Sequence, residues 1–81
     1  FMRLLGTVPH QNALISVFKS NNKISIKIEV GPFEQHYKFL ETEHLYDFES
    51  VKRFIDEEFI SHSYAVFDQM NVKYQSICEQ L

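Results

Sequence analysis

Eighty-one residues with 44% hydrophobic and 15% aromatic side chains make one domain with a small core, and they exclude intrinsic disorder. A formal net charge of −3 argues against general nucleic-acid binding, which needs a concentration of Lys and Arg. No apolar run reaches the ~18–20 residues of a membrane span, and no charged start followed by an apolar stretch reads as a signal peptide.

Cys78 stands alone, so no internal disulfide forms, and a reducing, cytoplasmic setting is expected. Phe1 precedes Met2; Met2 is read as the initiator, and the domain is taken as residues 2–81.

Residues 2–8 form a short apolar run and are expected to be the first strand. Pro9, His10, Gln11 and Asn12 follow as a turn, since Pro fixes φ and Asn tolerates special conformations. Residues 13–20 read as a second strand. Asn21 and Asn22 then sit between two β-patterned runs, where a two-residue primed turn suits Asn. That turn sets Ser20 opposite Lys23 and Val17 opposite Ile26.

The third strand is the clearest element. Ile24, Ile26, Ile28 and Val30 alternate strictly with Lys23, Ser25, Lys27 and Glu29, the period of a half-buried strand. Gly31 and Pro32 suit a type II′ hairpin, with Gly at the first central position. Taken as a two-residue turn, they place Val30 opposite Phe33, Ile28 opposite Gln35 and Ile26 opposite Tyr37. Phe33, Tyr37 and Phe39 then join the Ile face. A slip of one residue would bury Glu34, His36 and Lys38 instead, so hydrophobicity enforces the register.

After Glu41 the period lengthens. Asp47 caps a helical face of Phe48, Val51, Phe54 and Ile55, with Glu49 in the first turn. Asp56 reads as a second cap, followed by a stripe of Phe59, Ser63, Val66, Phe67, Met70, Tyr74, Ile77 and Leu81. A helix over residues 57–80 would be ~36 Å long. Two helices are preferred over one bent helix, which would leave the apolar sheet face poorly covered. The fold class is therefore α+β: an antiparallel four-stranded β-meander followed by two C-terminal helices packed on one face.

The other sheet face should be wet, with Phe18 beside Ser25, Lys27 beside His36, and Ser25 beside Lys38. Phe18 is the one large ring expected there, as an interface anchor would be. A strand of about seven residues spans only ~23 Å, so the last helix should overhang the sheet. Its end, carrying Tyr74, Ile77, Cys78 and Leu81, would then need apolar cover from another chain.

Catalytic and ligand chemistry find little footing. His10, His36, His44 and His62 form no metal-ligand spacing. Cys78 has neither a second cysteine nor a base and reads as a half-buried structural thiol. Gly6 and Gly31 stand apart, so no phosphate loop exists, and no nucleophile elbow appears. Asp56, Glu57 and Glu58 fit helix capping. Pockets of ~300 Å³ or more are hard to build in so small a domain.

The expectation is therefore a protein–protein interaction domain, a homodimer or an accessory subunit, with no enzymatic activity, cofactor, metal or small-molecule ligand implied. Its candidate interface residues are Phe18, Lys27, His36, Lys38, Tyr74, Ile77 and Leu81. The alternative is weak single-stranded nucleic-acid binding by Lys23, Lys27, His36 and Lys38 around Phe18. The first strand is expected at a sheet edge, where strand addition offers another binding mode.

Overall fold

Three two-residue turns organise the chain. In a computed structural model describing residues 2–81, Gln11, Asn21 and Gly31 adopt φ of 50°, 56° and 56°. Their followers Asn12, Asn22 and Pro32 do not take positive φ, the φ pattern of type II′ hairpins. Phe1 lies outside the described residues.

The turns connect β1 (Arg3–His10), β2 (Ala13–Ser20), β3 (Lys23–Val30) and β4 (Phe33–Leu40) in one antiparallel sheet of order β1-β2-β3-β4. Every cross-strand pair expected at the β2–β3 and β3–β4 turns is present, including Val17 with Ile26 and Ile26 with Tyr37. Two helices follow, α1 (Phe48–Lys52) and α2 (Glu57–Cys78).

Ala13, Ile15 and Val17 of β2 and Ile24, Ile26 and Ile28 of β3 are buried on the inner face. Val51, Ile55 and Phe67 cover them, with Leu5, Val8, Phe33, Tyr37, Phe48 and Phe59 packed around this core. Both helices start on aspartate caps. Asp47 Oδ1 accepts from Ser50 N–H at 2.9 Å, and Ser50 Oγ accepts from Asp47 N–H at 2.9 Å, a reciprocal capping box. Asp56 Oδ1 accepts from Phe59 N–H at 2.9 Å.

Two side chains pair at the helix–sheet joint, while His10 Nδ1, buried beside Tyr64, has no hydrogen-bond partner among the described residues. Gln35 Nε2 donates to Ser63 O at 2.9 Å, and Ser63 Oγ donates to Gln35 Oε1 at 3.2 Å. This pair ties the first half of α2 to β4. Tyr37 against Phe59 and Phe33 against Phe67 extend the tie, so α2 runs opposite in direction to β4.

Several local expectations need correction. β1 runs through Pro9 to His10, and the turn is only Gln11 and Asn12. Proline is tolerated because β1 is an edge strand and needs no N–H on its open side. A bulge at Leu5 separates the Leu4–Phe18 pair from the Gly6–Val17 pair. It sends Leu4 to the outer face and keeps Gly6 and Val8 on the inner one.

The α1 helix ends at Lys52, so Phe54 is not on its buried face; it is exposed beyond the helix. Similarly, α2 ends at Cys78, two residues earlier than expected, and Cys78 is exposed. The radius of gyration is 14.3 Å, against about 11.7 Å for a compact chain of this length. The longest dimension, 46 Å, reflects the helix that outruns its sheet.

Candidate interaction surfaces

The outer sheet face is not the open wet surface its alternation implies. Phe18 is half-buried: Leu4 of β1 faces it directly, and Lys27 Nζ lies 5.7 Å from its ring centre. Ser16, flanked across the sheet by Thr7 and Lys27, is only 5% exposed. Sequence alternation missed Leu4 as a member of this face because the bulge reverses the parity of β1.

Lys27 is the hub of the charges there. Its ammonium lies 3.4 Å from Glu29 and 3.9 Å from Glu34. His36 Nε2 lies 4.0 Å from Glu34, and Lys38 faces Ser25 across the strands. Phe18, Lys27, His36 and Lys38 are therefore gathered on one face, as the register requires, with carboxylates interspersed. Partly exposed ion pairs of this kind contribute little to stability, and they describe a mixed-charge surface and no basic patch.

The second surface is the end of α2. Helix residues 71–78 are exposed except Ser76, which is half-buried. Tyr74 is 42% exposed, Ile77 51% and Leu81 98%. The last inward contact is Tyr74 edge-on to Phe33, with ring centres 5.2 Å apart. The chain's accessible surface is 5806 Å², against about 5,100 Å² expected of a compact monomer of its mass. The projecting helix end accounts for the sign of that excess.

A third surface was not foreseen. Between the β4 side of the sheet and the start of α2 lies an open groove of about 670 Å³. Tyr37, Phe39, Phe54 and Phe59 line it with aromatic rings, and His44 and His62 stand among its polar residues. The expectation for so small a domain concerned a sheltered pocket, and this groove is open to solvent. Thr42, His44 and Leu45 before α1 and Phe54 and Asp56 after it line the groove opposite Tyr37 and Phe39. The groove is broad and shallow, and among the described residues no three metal-ligating side chains converge anywhere.

Among the described residues Asp47 is the one group whose titration is clearly displaced. The Ser50 backbone N–H bonded to it holds its carboxyl below the ordinary value of 3.8. This is a capping effect and places no acid or base at a reactive position. Among the described residues no helix is long and apolar enough to cross a membrane. Comparison with protein-family models, curated proteins and solved structures found no match.

Proposed function

We propose that this chain is a small protein-interaction domain that acts as a homodimer or as an accessory subunit of a larger assembly. The observation that carries this reading is the projecting end of α2. Tyr74, partly exposed, makes the last sheet contact through Phe33, and Ile77 and Leu81 are exposed beyond it. A chain that has so little core to spare leaves large apolar side chains uncovered where another chain covers them. The half-buried Phe18, set between Leu4 and the Lys27 side chain, supplies a second contact of the same character.

The nucleic-acid alternative has less support. Lys27, its central cation, is already flanked by Glu29 and Glu34 at 3.4 and 3.9 Å.

The reading is tested by light scattering of the purified chain over a wide concentration range, beside Tyr74→Asp and Ile77→Asp. A complex in the parent that is lost in either variant, with circular dichroism unchanged, supports it. A strict monomer at high concentration, together with an unaltered set of bound proteins for Tyr74→Asp in its native cells, rules it out.

A further inference from the structure

The sheet has two edges, and the chain treats them differently. β1 carries Pro9, which has no N–H to offer, and a bulge at Leu5; both blunt an edge. β4 carries neither, and its eight residues pair with β3 in one unbroken register. Val30 and Phe33 flank the two-residue turn, so they exchange hydrogen bonds. By alternation Gln35, Tyr37 and Phe39 also bond toward β3, and Glu41 N–H continues the series by donating to Asn22 O at 2.7 Å. Glu34, His36 and Lys38 therefore aim N–H and C=O away from the sheet. Among the described residues no other backbone group bonds to them.

We propose that β4 pairs antiparallel with β4 of a second copy, about a twofold axis at His36, joining two four-stranded sheets into one. The inference rests on the self-association reading and specifies its geometry. The alternation of outward bonds lets even-numbered residues face only even-numbered ones. Centred on His36, Glu34 faces Lys38 of the second copy, and symmetry repeats the pair. Centred on Tyr37, His36 faces Lys38 and Glu34 faces Leu40, so the charge match is lost. Centred on Gln35, the overlap shrinks to residues 33–37 and Phe39 has no counterpart.

Only the first register sets a lysine opposite a carboxylate, and cross-strand charge pairs help select a register between polar edges. Among the described residues Lys38 has no carboxylate within salt-bridge distance in its own chain. The same register brings Phe39, 40% exposed, beside Phe33 of the second copy. Phe39 already stacks on Tyr37 with ring centres 6.3 Å apart, and Phe33 meets Tyr74 at 5.2 Å. Pairing thus joins two aromatic clusters on the inner face while it joins charges on the outer one.

The test is disulfide trapping in a Cys78→Ser background. His36→Cys puts two Cα atoms ~5.5 Å apart across the axis, within disulfide reach. Lys38→Cys puts them four residues out of step, ~13 Å apart along the strand, beyond that reach. The expected result is a covalent dimer from His36→Cys and none from Lys38→Cys. His36→Pro removes an outward N–H without touching the β3–β4 bonds and should give a monomer with unchanged circular dichroism. Glu34→Lys should weaken the dimer about tenfold or more, and adding Lys38→Glu should restore it.

Efficient trapping by Lys38→Cys, or a parent dimer indifferent to His36→Pro, overturns the inference. A dimer lost in Ile77→Asp but untouched by His36→Pro overturns it while sustaining the helix-end reading. A parent chain that stays monomeric at high concentration overturns the inference and the homodimer form of the proposed function; the accessory-subunit form then falls only if Tyr74→Asp also leaves the bound proteins unaltered.

Discussion

Gly6 offers a sharp test of how α1 sits on the sheet. A Cβ built there would lie 2.7 Å from Phe48 Cε1 and 2.8 Å from both Cδ1 and Cζ, closer than real contacts allow. Gly6 does not occupy the left-handed region that requires glycine, so the ring alone excludes a side chain. Phe48 is the first residue of α1, between the Asp47 cap and the fully buried Val51, so its backbone is anchored by the helix start. Overpacking of this kind costs ~1–3 kcal/mol. The whole domain is stable by only ~4–12 kcal/mol at ~0.05–0.15 kcal/mol per residue.

Gly6→Ala should therefore lower the melting temperature by ~5–20 °C, at ~4–8 °C per kcal/mol for a domain of this size. In a Phe48→Ala background the obstruction is gone. There the same substitution should stabilise by ~0.5–1 kcal/mol, because alanine gives up less backbone entropy than glycine. Urea unfolding of all four proteins closes the cycle, with an expected coupling of ~2 kcal/mol or more. Equal effects in the two backgrounds, or a neutral Gly6→Ala in the parent, would refute the close packing of α1 on β1.

Four further outcomes are expected. The lowered Asp47 carboxyl stabilises the fold fully above its unfolded value of 3.8, and the benefit disappears as pH falls through its folded value. Acid unfolding followed by circular dichroism should be less steep below pH 3.8 for Asp47→Asn, which keeps the cap acceptor but cannot titrate. Gln11→Gly should stabilise by up to ~1 kcal/mol in urea unfolding by relieving a non-glycine residue at φ 50°, whereas Gly31→Ala at φ 56° should destabilise by a similar amount. Phe67→Ala should cost ~3–5 kcal/mol because the ring is buried. Ile77→Ala should change monomer stability by no more than ~0.5 kcal/mol, since its side chain is beyond the sheet; a large loss there would place the helix end against the core.

The mixed outer face shows where strand alternation stops being sufficient. Its membership in β2, β3 and β4 follows from period and turn length, and Lys27, His36 and Lys38 fall where the register puts them. Phe18, however, is covered by Leu4, and nothing in the run of residues 2–8 announces the bulge that brings Leu4 there. Bulges depend on how a strand twists against its neighbour, which a one-dimensional pattern does not encode. The groove was hidden for a related reason. Tyr37, Phe39, Phe54 and Phe59 all read as core, and whether a ring is covered depends on how far α1 extends across the sheet.

Sequence by itself determined the β-meander, the registers of β2 on β3 and of β3 on β4, and the two capped helices. Each rests on local chemistry: an alternating period, turn residues at fixed offsets and aspartates at helix starts. The overhang of α2 was also legible, because helix and strand rise per residue are fixed quantities. Tertiary structure alone decided which of the apolar residues are covered, where the groove opens, and which sheet edge is blunted. Those outcomes depend on contacts between residues far apart in the chain, such as Phe48 over Gly6 and Ser63 on Gln35, and on a twist that no single strand specifies.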